Sequence, residues 1–166
     1  MSIRSNFIDL LNSNPKEEII QRFIQENPVL LHQFPAEEIF FKPPILTLYK
    51  ADFGILTPNK EFILIELEKT TTKLIKKDGG MHSNLNHAFD QIREWQDVIS
   101  DHKIAVLESL KIDKSKVTSI SGVIIAGRDS QYDPHLLRRL KGSDYGKTTL
   151  LGGKKGTGSF CPLLSL

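Results

Sequence analysis

The stretch ADFGILTPNKEFILIELEKT, residues 51–70, decides the fold that this sequence predicts. β-Branched and aromatic residues flank the turn-forming TPNKE, which indicates two β-strands joined by a turn. Side chains alternate across a strand, so Glu66 and Glu68 share one face at the end of the second strand. Asp52 stands near the start of the first strand, where the hairpin register can bring it beside them. Burying like charges together is costly unless something pairs with them, so the hairpin predicts a partner.

A divalent metal ion is the simplest partner for these carboxylates, because hard oxygen ligands suit Mg²⁺ or Mn²⁺. The spacing resembles the D-x(n)-(D/E)-x-K layout of metal-dependent nucleases, with Glu68 at the position of the lysine. In that layout the acidic pair holds the metal, and the third group positions or activates water for attack on a phosphodiester. The alternative is that Glu66 and Glu68 lie on a solvated strand face while Asp52 belongs to a turn. Spacing leaves both interpretations open.

Composition narrows the class of protein. The 166 residues predict one domain, with an ordinary 39% apolar and 25% charged content. A single cysteine, Cys161, excludes an internal disulfide and a cysteine-rich zinc site. No apolar run approaches the roughly 18 residues of a membrane span, and the N-terminus does not resemble a signal peptide. We therefore expect a cytoplasmic protein without a membrane partner.

The rest of the chain predicts a mixed α/β domain with a central sheet, because helices and strands alternate along it. Pro15 and Asn27-Pro28 are expected to bound the first helix, with Ser13 or Asn14 as its cap. The other predicted elements are strands near 38–42 and 45–56, a loop at 70–84, helices at 84–102, 103–112 and 133–142, and a buried strand at 117–128.

The C-terminal segment 141–166 does not fit this pattern. It is rich in glycine and lysine and has no clear period. We therefore expect residues 1–140 to form the domain, and 141–166 to be an atypical tail that is truncated, altered or disordered. The GSDYGKTT within it is not a phosphate loop, because three residues rather than four separate its glycines.

Five segments in order along the chain resemble the Shedu family of bacterial anti-phage defence proteins, a branch of the PD-(D/E)XK nuclease superfamily. They are EIIQRFIQENPVLL at 18–31, ADFGIL at 51–56, LIELEKT at 64–70, LNHAFDQIREW at 85–95 and GVIIAGRD at 122–129. The resemblance implies a PD-(D/E)XK core, which is a central mixed β-sheet flanked by helices. It also implies phage or foreign DNA as the substrate, Mg²⁺ or Mn²⁺ as the cofactor, and a homo-oligomer as one form of assembly.

The resemblance carries site roles over to matching positions. Asp52 matches the first metal carboxylate and Glu66 the second. Glu68 falls on the usual lysine position, where it is expected to act as a water-activating base or a further metal ligand. Lys69 replaces the missing positive charge only if the strand ends or bulges there.

Two further positions match the pattern on helices. Gln91 is expected to orient the site or contact DNA, and Glu18 to lie near the metal. Glu18 is equally explained as a carboxylate at a helix N-terminus. The basic residues expected to contact phosphates, unless they are merely solvated, are Lys73, Lys76, Lys77 and Arg93.

The sequence thus predicts a metal-dependent DNA endonuclease of a defence system. An alternative is a catalytically inactive DNA-binding or assembly module of the same fold, favoured by the missing lysine and the unusual tail. A third possibility is a protein-interaction domain that does not contact DNA.

Overall fold

The computed structural model describes residues 2–69, 71, 73–126, 135 and 147–149. Its helices are α1 (Ile3–Asn12), α2 (Glu17–Glu26) and α3 (Ser83–Ser109). Its strands are β1 (Glu38–Phe41), β2 (Pro44–Ile45), β3 (Tyr49–Lys50), β4 (Phe53–Leu56), β5 (Glu61–Leu67), β6 (Ser119–Ile125) and β7 (Lys147–Thr149). None of the helices in these ranges combines the length and apolarity of a membrane span.

Five strands form one sheet in the order β1-β4-β5-β6-β7. β1, β4 and β5 are antiparallel neighbours, whereas β5, β6 and β7 run parallel. α3 lies between β5 and β6 in the chain, as a parallel crossover requires. β2 and β3 pair separately. The expected α/β architecture, a central mixed sheet flanked by helices, is therefore present.

Alternation along β5 separates two apolar layers. Phe62 and Leu64 face α3, in a core that includes the fully buried Trp95. Ile63 and Ile65 face the opposite side, where they pack with α1 and α2 through Phe7, Leu11, Ile20 and Ile24. Because both faces of β5 are covered, Glu66 near its end is partly shielded from water, and this affects its chemistry.

α3 lies close against the sheet. A Cβ added to Gly122 of β6 would lie 2.1 Å from Ile92 Cγ2. The two helices predicted over 84–112 are both present, and together they make up α3. Non-helical backbone angles at His102 (φ −127°, ψ 31°) separate them at the predicted boundary, so this prediction was confirmed.

The N-terminal region differs from the expectation in two ways. α1 was not predicted, although Ser2 caps it and Phe7 and Leu11 give it an apolar face. α2 begins only at Glu17, with Lys16 at the cap position and no side-chain cap hydrogen bond. Ser13 ends α1 instead, so the predicted cap at Ser13 or Asn14 was wrong.

Further along, the strand predicted over 45–56 is divided into β2, β3 and β4. Leu46 between them has a left-handed backbone (φ 54°), which ends the extended run. The helix predicted at 133–142 lies outside the described residues, apart from His135. Residues 147–149, inside the segment predicted to be an atypical tail, pair with β6 as β7.

Candidate active site

The β4–β5 hairpin brings Asp52 to the C-terminal end of β5. Phe53 pairs with Ile65, and the Asp52 N–H donates to the carbonyl of Ile65 at 3.1 Å. The backbone N–H of Leu67, the last residue of β5, donates to Asp52 Oδ2 at 2.7 Å. The carboxylate is therefore fixed at the end of the sheet where β4 begins and β5 ends, next to Glu66.

α2 approaches Asp52 from one face of the sheet. Gln21, which is only 6% exposed, donates through Nε2 to Asp52 Oδ1. The same Nε2 contacts Glu17 Oε1, one helical turn earlier, at 3.4 Å. Gln21 Oε1 is buried and has no hydrogen-bond partner in the described part of the chain. Gln21 thus joins two acidic side chains and leaves one acceptor unused.

α3 reaches the site from the other face. A side-chain hydrogen bond from Gln91 lowers the pKa of Glu66, which identifies Gln91 as a donor to that carboxylate. Glu66 lies on the α3 side of β5, following Phe62 and Leu64 in the alternation. The two central carboxylates are therefore each held by a glutamine, Asp52 by Gln21 and Glu66 by Gln91.

Burial and mutual repulsion raise the pKa values of the carboxyl groups in this cluster. Desolvation, followed by the charges of Asp52, Glu17 and Glu68, raises the pKa of Glu66 to about 9. Desolvation is also the main cause that raises the pKa of Glu17 to about 7. Desolvation raises the pKa of Asp52 to about 6, against the opposing hydrogen bond from Leu67. Near neutral pH the site retains protons that a bound cation could replace.

Two lysines lie near enough to act on the cluster. Lys42 lowers the pKa of Asp52, and its backbone N–H donates to the Asp52 carbonyl at 2.9 Å. Lys69 lowers the pKa of Glu17. β5 ends at Leu67, so Glu68 and Lys69 lie beyond the regular alternation of the strand. The condition under which Lys69 could bring its charge to the site is therefore met.

The donor chemistry fits a hard divalent cation. Asp52 and Glu66 supply carboxyl oxygens, the ligand type that suits Mg²⁺ or Mn²⁺, and a bound cation would displace the protons that their raised pKa values retain. Within the described residues no three His, Cys, Asp or Glu side chains are gathered closely enough to form a metal site by themselves. Mg²⁺ does not require such a cage, because it is commonly bound by one or two carboxylates with waters and substrate phosphates.

The other predicted site residues are exposed side chains. Glu18 is exposed, and its neighbour Glu17 is the residue of α2 that interacts with Asp52 and Glu68. Lys73, Lys76 and Lys77 are exposed on the loop after β5. Arg93 is exposed on α3 and pairs with Asp90 at 2.6 Å.

Sequence reasoning did not find Glu17, Gln21 or Lys42. A signal for the first two was present, because Glu17 and Gln21 lie at helical spacing on the same face of α2 as the buried Ile20 and Ile24. Nothing in the sequence pointed to Lys42, which comes near Asp52 through strand pairing.

A comparison with known families identifies the family of the chain. The pattern of the C-terminal region of Shedu protein SduA matches residues 14–143, which include α2, the hairpin, α3 and β6. No curated protein matches the chain in sequence. Membership of the Shedu family implies a role in anti-phage defence. Because the match covers most of the chain, this protein belongs to the Shedu family, within the group defined by the SduA C-terminal region.

Proposed function

We propose that this protein is a metal-dependent DNA endonuclease of the PD-(D/E)XK type, acting in defence against phage. One observation carries the proposal: two partly buried carboxyl groups, Asp52 and Glu66, lie at the same end of adjacent strands with raised pKa values. Strongly perturbed carboxyl groups held in fixed positions are typical of catalytic sites. The family match supports the defence role.

In the proposed mechanism, Asp52 and Glu66 would hold Mg²⁺ or Mn²⁺. The bound cation would supply Lewis-acid stabilisation of the phosphate and a more acidic water. Gln91 keeps Glu66 oriented by its side-chain hydrogen bond. Glu68, beyond the end of β5, takes the proton of the attacking water. Lys69 and Lys42 bring positive charge to the acidic cluster and would contact the scissile phosphate.

Cleavage of supercoiled plasmid and linear DNA tests the proposal. The purified chain is incubated with Mg²⁺, Mn²⁺ or EDTA, beside Asp52→Asn and Glu66→Gln. Glu94→Gln is the matched control, because Glu94 is an exposed carboxylate of α3. We expect metal-dependent nicking or cleavage by the wild-type and Glu94→Gln proteins, with at least a roughly hundredfold loss in the two site variants. Full activity in both site variants would refute the assignment.

A second candidate function is a catalytically inactive DNA-binding or assembly module. It is favoured by Glu68 at the lysine position and by the engagement of both Asp52 oxygens with protein donors. This candidate predicts salt-dependent DNA binding by the wild-type protein without cleavage under any metal. Absence of both binding and cleavage would instead favour a protein-interaction domain.

A further inference from the structure

We infer that Gln21 is a positioning residue that sets the orientation of the Asp52 carboxylate for cation binding. The inference rests on the proposed function and adds a residue to its site. Gln21 Nε2 donates to Asp52 Oδ1, while the Leu67 N–H occupies Oδ2 at 2.7 Å. One donor on each oxygen fixes the plane of the carboxylate, so each oxygen keeps lone pairs in a defined direction.

Packing of α2 makes Gln21 rigid enough for this task. Its neighbours Ile20 and Ile24 are fully buried against the sheet, and Gln21 itself is 6% exposed. The donor is therefore supplied by a helix whose position depends on the apolar core. Leu67 N–H belongs to the strand beneath. Asp52 is thus held by donors from two separate elements. Metal-binding side chains are commonly oriented in this way by hydrogen bonds from residues behind them.

The amide orientation follows from the same contacts. Nε2 faces both Asp52 Oδ1 and Glu17 Oε1, and only the NH₂ end of the amide is a donor to carboxylates. This leaves Oε1 buried without a hydrogen-bond partner among the described residues, which is costly unless a donor approaches it. An unused acceptor beside the acidic cluster is consistent with a donor, such as a water molecule, that enters with the cation.

The test uses Gln21→Met, which keeps the unbranched shape but removes the donor, and Gln21→Glu, which replaces the donor by oxygen. Gln25→Met is the matched control, one turn later on the exposed face of α2. The first readout is Mn²⁺ affinity, measured by calorimetry on the full chain. We expect a loss of ~10- to 100-fold for both Gln21 variants and no change for Gln25→Met.

The second readout separates positioning from a merely structural role. Plasmid cleavage is measured against Mn²⁺ concentration and against DNA concentration. We expect the Mn²⁺ concentration for half-maximal rate to rise in the Gln21 variants, while the KM for DNA stays within about twofold. Thermal unfolding without metal checks that the variants remain folded.

Several results would overturn the inference. Unchanged Mn²⁺ affinity in folded Gln21→Met would show that Asp52 does not need the donor. Equal or tighter Mn²⁺ binding by Gln21→Glu would show that this position acts as a ligand instead. If neither variant folds, Gln21 is a folding residue and the inference fails. If the wild-type protein itself neither binds Mn²⁺ nor cuts DNA, the proposed function fails first, and the inference with it.

Discussion

At the scale of single residues, the most unusual feature is a glutamate that is costly to ionise. Glu66 is largely enclosed and surrounded by Asp52, Glu17 and Glu68, which together with desolvation raise its pKa to about 9. In the unfolded chain the same group titrates near 4.5. Folding therefore requires Glu66 either to keep its proton or to carry an unfavourable buried charge.

This predicts that Glu66→Gln stabilises the metal-free protein at alkaline pH. With a raised folded pKa, the native state binds more protons than the unfolded state between pH 4.5 and about 9. Stability is therefore fully present below pH 4.5 and declines as the pH rises towards 9. We expect the variant to gain stability on the order of 1 to 3 kcal/mol near pH 8 and almost none near pH 4.5.

Urea unfolding followed by the fluorescence of Trp95, the single tryptophan, measures the difference. Glu94→Gln, an exposed carboxylate on α3, serves as the control and should change stability by less than about 0.5 kcal/mol at either pH. A Glu66→Gln variant that is less stable than the wild type near pH 8 would show that Glu66 is ionised and well compensated.

Residue identities at the site could be predicted only where the strand pattern determines them. Asp52 and Glu66 follow from the hairpin, because its alternation and register are local. On α2 the sequence analysis chose Glu18, whereas the buried face is defined by Ile20, Gln21 and Ile24 and carries Glu17. Glu18 and its neighbour Ile19, which is 47% exposed, lie outside that buried face.

At the scale of elements, the distance between α3 and β6 controls where Gln91 meets Glu66. Ile92, the next residue after Gln91, lies over Gly122, where a Cβ would come within 2.1 Å of its Cγ2. Only the absence of a side chain at Gly122 allows this approach. Glycine is needed here only for its lack of a side chain, because the backbone of Gly122 is not in the left-handed conformation that favours glycine.

We therefore predict that Gly122→Ala destabilises the protein by about 1 to 3 kcal/mol, since the inserted methyl must displace Ile92. It should also weaken cleavage, because the Gln91 donor moves with the helix. The Ile92→Ala change should recover part of the stability in the Gly122→Ala background, as a double-mutant cycle reports.

Gly80→Ala is the control, because Gly80 is exposed. The nearest atom to a Cβ added there is Asp78 Oδ1, at 3.2 Å, at the end of a flexible side chain. Gly122→Ala with unchanged stability would mean that α3 shifts freely on the sheet.

The elements with strong local patterns were predicted from sequence, and those that depend on the rest of the chain were not. α2, β5, the first part of α3 and β6 show clear periodicity. The division of residues 45–56 into three strands depends on the backbone at Leu46, which has no local signature in a leucine. By contrast, the break in α3 at His102 follows the predicted division between two helices, and the second of them packs into the core through Val106 and Leu107.

At the scale of the whole molecule, basic residues lie at the same end of the sheet as the acidic cluster. The loop that follows β5 carries the exposed Lys73, Lys76 and Lys77. The loop is anchored by the buried Leu74 and closed by the Ile75–Met81 bridge. The loop backbone that carries these lysines is therefore held in place, so their side chains can reach a phosphate backbone from a fixed position.

Replacing these three lysines by glutamine should weaken DNA binding and reduce its salt dependence. Each lost phosphate contact is expected to lower the slope of log K against log salt by about 0.9. Lys111→Gln with Lys114→Gln is the control, since both precede β6 and lie at the opposite end of the sheet. Fluorescence anisotropy over a salt series measures both slopes. Equal slopes for the two variants would exclude the loop as a DNA contact.

The most direct test of the central claim, that the acidic cluster is a cation site, is a calorimetric titration of Mn²⁺ at two pH values. Protons and the cation compete for carboxyl groups whose pKa values are raised to about 6, 7 and 9. We predict binding that is tighter near pH 8 than near pH 6, accompanied by proton release, and lost in Glu66→Gln. An affinity that is the same at both pH values and unaffected by Glu66→Gln, or no binding at all, would contradict the claim.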